Sequence, residues 1–121
     1  MGKAKILVVD DSPTHLKVEC AALEEKGYSV VTASDGEEAL AKAASEKPDL
    51  IVLDVVMPKL NGFQVCRKIK KSPETKNIKV LLCTSKNQES DKFWGEQQGA
   101  DAYVTKPFSD EELLDTVAKL L

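Results

Sequence analysis

The sequence is poor in soft-metal and redox-type ligands. It holds one histidine, His15, and three cysteines, Cys20, Cys66 and Cys83, with no C-x-x-C pair among them. That spacing argues against a Cys/His zinc site and against a disulfide framework. Thiols scattered among apolar neighbours read instead as small core side chains in a reducing compartment. No stretch approaches the roughly 18 apolar residues of a membrane span. The start, Met1 to Lys5, lacks the apolar segment of a secretory signal, and Ile6 stands where an acylation motif wants Ser or Thr. A cytoplasmic protein without membrane contact is expected. Basic excess is also missing: 17 basic side chains face 20 acidic ones, for a net charge of -3. Nucleic acid is therefore not the expected partner. No repeat, linker or low-complexity segment interrupts the chain.

What is present is one stretch that organises the rest. The run Leu50 to Leu53 ends on Asp54 and then breaks into a loop punctuated by Pro58 and Gly62. A short continuous Leu/Ile/Val run suits a parallel strand buried on both faces. Asp54 then lies at the carboxyl end of a central strand, where open parallel sheets bind their ligands.

The other elements follow in chain order. Lys5 to Val9 predicts a first strand, ending on Asp10-Asp11. Ser12-Pro13 is a helix start, with Ser as cap and Pro at the first helical position. A helix is expected over His15 to Lys26, closed by Gly27. Tyr28 to Ala33 predicts a second strand and Glu37 to Ser45 a second helix. After the Asp54 strand come a helix over Phe63 to Lys71, a strand over Ile78 to Cys83 ending at Thr84, and a polar helix over Gln88 to Gln98. A short strand, Ala102 to Thr105, precedes Lys106-Pro107. Asp110 is expected to cap a last helix with Leu113, Leu114, Val117, Leu120 and Leu121 on its apolar face. The 121 residues suffice for one domain with one core. Strands alternating with helices imply an α/β parallel sheet covered on both faces, with right-handed crossovers.

In such a sheet all strand carboxyl ends share one edge. Asp10, Asp11, Asp54, Thr84 and Lys106 stand there. Clustered carboxylates repel, and a hard divalent cation such as Mg²⁺ relieves that repulsion. The lone Lys and the hydroxyl suit a second ligand with several anionic oxygens, such as a phosphoryl group.

Asp10-Asp11, Asp54 followed by Met57-Pro58 and Gly62, Thr84, Tyr103 and Lys106-Pro107 together resemble the receiver domain of response regulators, of the CheY-like kind. Each motif alone is weak; all of them in this order are specific, and the match covers residues 1–121, so a single domain with no output domain is expected. The resemblance implies a flavodoxin-like, doubly wound sheet of five parallel strands in the order 2-1-3-4-5, with five helices. The stretch from Asp91 to Ala100 further resembles regulators of twitching-motility or phototaxis chemotaxis systems.

The resemblance also implies roles. Asp54 is the expected phosphoacceptor. Asp11, Asp54 and the backbone carbonyl of Val56 are expected to hold Mg²⁺, with Asp10 acting through a water. Lys106 and Thr84 are expected to bind phosphoryl oxygens, and Tyr103 to be the aromatic switch. A cis peptide bond is expected before Pro107. Val56 and Lys86 sit where the family tunes phosphoryl lifetime. Ser85 stands where Ala is frequent, and is small enough to be tolerated. Expected partners are a sensor histidine kinase or phosphotransfer protein, and a downstream protein. The downstream protein would read the face formed by the Gln88–Gln98 helix, the last strand and the last helix. Trp94 and Tyr103 are its expected contacts, with Phe93 facing the sheet.

Two other functions compete. A Mg²⁺-dependent phosphatase with an aspartyl nucleophile usually carries a second acid two residues on, where this chain has Val56. A flavodoxin-type electron carrier needs a hydroxyl- and Gly-rich phosphate loop after the first strand. Asp10-Asp11 would instead repel the flavin phosphate. The favoured expectation is a phosphoacceptor signalling protein rather than an enzyme.

Overall fold

The computed structural model of the chain describes residues 4–55, 57, 60–84, 99–105 and 108–121, with Thr84 described by its backbone. Five strands, β1 (Lys5–Val9), β2 (Ser29–Ala33), β3 (Leu50–Asp54), β4 (Lys79–Thr84) and β5 (Ala102–Thr105), form one parallel sheet in the order β2-β1-β3-β4-β5. Among the described residues there are four helices: α1 (Pro13–Glu25), α2 (Gly36–Glu46), α3 (Gly62–Lys71) and α4 (Asp110–Leu120). The polar helix expected over Gln88 to Gln98 lies outside the described residues. No described helix is long and apolar enough to cross a membrane.

The period-two alternation of the strands divides the core into two layers. Leu7, Val9, Ile51, Leu53, Val80 and Leu82 pack on one face with Ala39, Ala43, Val65, Cys66 and Ile69 of α2 and α3. Ile6, Val8, Leu50, Val52, Leu81, Cys83 and Val104 pack on the other with Leu23 of α1 and Leu113 and Val117 of α4. Every residue of β3 is buried, as its uninterrupted apolar run predicts. Truncating one of these leucines to Ala costs about 2–5 kcal/mol in a core of this kind.

Local chemistry sets the helix ends. Ser12 caps α1 with Pro13 just inside, and Gly27, at φ 93°, takes the left-handed turn that ends it. Asp35 caps α2, accepting from Glu38 N–H at 2.8 Å. Asn61 and Gln64 form a reciprocal capping box at the start of α3.

Two expectations are corrected. Asp110 is the first helical residue of α4, and Ser109 is its cap, accepting from Glu112 N–H at 3.0 Å. A hydroxyl one residue earlier already meets the orphan N–H, so the Asp carboxylate serves only the first-turn dipole. Leu121 is 47% exposed and lies beyond the helix rather than on its buried stripe. The element limits otherwise differ from expectation by one or two residues at helix and strand ends.

Candidate functional site

The site begins with register. Val9 of β1 pairs with Leu53 of β3, and Asp54 pairs with Cys83 of β4. One step beyond the Val9–Leu53 pair, Asp10 and Asp54 are neighbours at the carboxyl edge. Both fall in the strand phase of Ile6, Val8, Leu50 and Val52, so both belong to the α1/α4 side of the sheet. Asp11 follows, exposed, where the chain turns into α1.

Carboxylate oxygens of Asp10, Asp11 and Asp54 all lie within 4.8 Å of one another. Asp10 and Asp54 are buried, and Asp11 faces solvent. Three carboxylates this close in partly dry surroundings favour an added cation. The donor set is all oxygen, with no soft sulfur, and carries high negative charge. Such a set fits a hard divalent cation that keeps several waters, as Mg²⁺ does, better than a soft metal. The sequence-predicted acid cluster is therefore assembled as expected. Asp35 and Asp49 stand apart from it in function: Asp35 caps α2, and Asp49 Oδ2 accepts from Lys5 N–H at 2.8 Å.

The loop after Asp54 is drawn back against the strand. Gly62 N–H donates to the Val55 carbonyl at 2.8 Å. A Cβ on Gly62 would lie 2.4 Å from the Asp54 carbonyl oxygen and 2.7 Å from Val55 Cα. Only a glycine lets α3 start this near the end of β3. The sequence marks Gly62 as loop punctuation; it is in fact the first residue of α3, pressed onto the backbone that carries Asp54. On the facing side, Met57, Leu60 and Tyr103 pack against the α2/α3 core layer.

Tyr103 is half-buried in β5, two residues before the strand ends. Thr84 closes β4 at the same edge as Asp54. Val56, Lys86, Trp94, Lys106 and Pro107 lie outside the described residues. The three thiols form no disulfide with one another. Cys66 and Cys83 are buried and Cys20 is half-buried. Burial pushes the Cys66 thiol up to about 11, and burial with Glu24 and Glu19 nearby raises that of Cys20.

Two features carry no sequence signal. His15 Nδ1 stands 3.5 Å from Asp10 Oδ2, at the rim of the cluster. At the opposite sheet edge, Asp101 Oδ2 accepts from Lys70 Nζ and from Val80 N–H, each at 2.8 Å, while Lys70 Nζ also reaches the Ile78 carbonyl at 2.9 Å. Burial raises the Asp101 carboxyl, but these hydrogen bonds and the Lys70 charge outweigh it and leave the group below its ordinary value. That knot ties α3 to the entry of both β4 and β5. Asp101 and Lys70 are 31 residues apart, so no local pattern announces the pair.

The family model described as the response regulator receiver domain matches residues 6–118. The chain belongs to that family. The receiver is 48% identical over 118 residues to Protein PilH of Pseudomonas aeruginosa, covering 98% of each. It is 42% identical over 113 residues to Protein PilG of the same organism, covering 93% of this chain and 84% of PilG. The alkaline phosphatase synthesis transcriptional regulatory protein PhoP of Bacillus subtilis is 50% identical over 117 residues, and the receiver spans 48% of its length. Among solved structures, the chemotaxis protein CheY4 of Vibrio cholerae superposes with a TM-score of 0.94 at 37% identity, covering 99% of this chain and all of the other. The sheet order and this superposition bear out the CheY-like fold. The likeness to PilH and PilG supports the subfamily resemblance seen in the sequence.

Proposed function

We propose that this receiver is a cytoplasmic phosphoacceptor in a two-component relay of the chemotaxis type. Its carrying observation is the convergence of Asp10, Asp11 and Asp54 at the carboxyl edge of the sheet, with Asp54 ending the central strand. An Asp54 oxygen attacks the phosphorus of a phosphohistidine on a partner kinase or phosphotransfer protein. The P–N bond breaks, the imidazole leaves with the electron pair, and an aspartyl phosphate forms. Bound Mg²⁺ supplies neutralisation of charge that builds on the transferring group. Asp11, Asp54 and the Val56 carbonyl would hold it, with Asp10 acting through a water. Lys106 and Thr84 bind phosphoryl oxygens, and Tyr103 moves with the segment that Thr84 draws in. Val56 and Lys86 tune the lifetime of the phosphoryl group. Output is a protein contact made by β5, α4 and the segment carrying Trp94. The chain assists its own phosphorylation and slow dephosphorylation and turns over no external substrate.

The test is acceptance of phosphate from acetyl phosphate with Mg²⁺ present. Wild type takes up label, and Asp54→Ala takes up none. Label retained at the wild-type level in Asp54→Ala would sink the assignment.

A further inference from the structure

Asp10 is the most enclosed of the three acids, its side chain 2% exposed. The first turn of α1 wraps around it. Ser12, the cap of α1, donates its N–H to Asp10 Oδ1 at 2.9 Å. His15, three residues on, brings Nδ1 to 3.5 Å from Oδ2, while its own N–H faces Ser12 Oγ at 3.4 Å. Asp10 is thus approached on its two oxygens by two groups of one helical turn. The His15 side chain is 55% exposed, so the core does not require it.

We propose that His15 is a positioning residue of the cation site, holding Asp10 Oδ2 so that this carboxylate keeps one orientation toward Asp11 and Asp54. The inference rests on the acid cluster being a Mg²⁺ site. It does not need a charged imidazole: a neutral ring with its proton on Nδ1 is a donor. Groups that orient the oxygens around a metal raise affinity without touching the ion, and their loss weakens binding about 10- to 100-fold. His15 acts at the long end of a polar contact and on the acid that works through a water, so the low end of that range applies. The opposite role is a cationic ring that competes with the metal, and it predicts the opposite sign.

Calorimetric titration with Mg²⁺ at pH 8, above the ordinary imidazole range, separates these. His15→Ala is expected to bind Mg²⁺ about tenfold more weakly than wild type. His15→Asn places an amide N–H donor near the position of Nδ1 and is expected to recover most of that loss. Melting temperatures of the metal-free variants should match wild type, since His15 is largely exposed. Should His15→Ala melt lower, the affinity of His15→Asn decides. Equal or tighter Mg²⁺ binding in His15→Ala overturns the proposal, and so does a His15→Asn protein as weak as the Ala variant. If wild type itself takes up no Mg²⁺, the cation-site reading falls and the role of His15 falls with it. Binding lost in Asp11→Asn yet unchanged in His15→Ala leaves the reading standing and removes His15 alone.

Discussion

Replacing Gly62 with Ala sets two physical effects against each other. Helix propensity favours Ala over Gly by up to about 1 kcal/mol, so a view of α3 as an isolated helix expects a more stable protein. The contacts say otherwise. The new Cβ would sit 2.4 Å from the Asp54 carbonyl oxygen and 2.7 Å from Val55 Cα, both backbone atoms that cannot rotate away. Relief requires α3 to retreat from the end of β3, which strains the Gly62 N–H bond to the Val55 carbonyl. Forced overpacking of this kind costs about 1–3 kcal/mol. Taking the upper part of that range less the propensity gain leaves a net loss of about 2 kcal/mol. For a domain of this size that is a fall of roughly 8 °C in melting temperature. The assay is urea denaturation of wild type and Gly62→Ala, followed by circular dichroism. Since Asp54 is displaced with its backbone, acceptance of phosphate from acetyl phosphate should fall as well. A variant as stable as wild type, or more stable, would refute the close-approach reasoning.

Asp101→Asn should cost about 1.5 kcal/mol at pH 7, the low end of the scale for a hydrogen bond to a charged group, since the amide oxygen can still accept. Because the folded carboxyl lies below the ordinary aspartate value of 3.8, its stabilisation is full above that value and is lost as pH falls through the folded value. The gap from wild type should therefore close in acid, and a gap that widened there would be inconsistent with the knot as described. Ser109→Ala should lose about 1 kcal/mol in urea denaturation and Asp110→Ala much less; the reverse order would restore Asp110 as the cap. Cys66, buried and with its thiol pushed up to about 11, should resist alkylation at pH 8 in the native state and react once urea unfolds the chain. Rapid native labelling of Cys66, mapped by mass spectrometry, would show α3 open in solution.

The legible parts of the fold are those whose cause is local. The run Leu50 to Leu53 announces a strand buried on both faces, and β3 is one. Ser12-Pro13 announces the start of α1. Strand order is not local: alternation predicts a parallel sheet, and the order came with the family resemblance. The acid cluster is legible because strand ends of a parallel sheet share one edge, which brings Asp54 together with Asp10 and Asp11, distant from it in sequence. Fine placement was not. Ser109 and Asp110 are both good caps, and sequence alone cannot rank adjacent acceptors. Gly62 looked like a loop residue because nothing local tells a turn glycine from one that must clear another strand. His15 and the Lys70–Asp101 pair depend on the tertiary approach of elements and leave no periodic trace.

The most direct test of the central claim is to find where phosphate goes. The protein is incubated with acetyl phosphate and Mg²⁺, the aspartyl phosphate is reduced with borohydride, and the modified residue is mapped by mass spectrometry. Reduction product on Asp54, formed with Mg²⁺ and lost when the metal is chelated, is the expected result. Product on any other carboxylate of the wild-type chain, or equal labelling without the metal, would contradict the assignment.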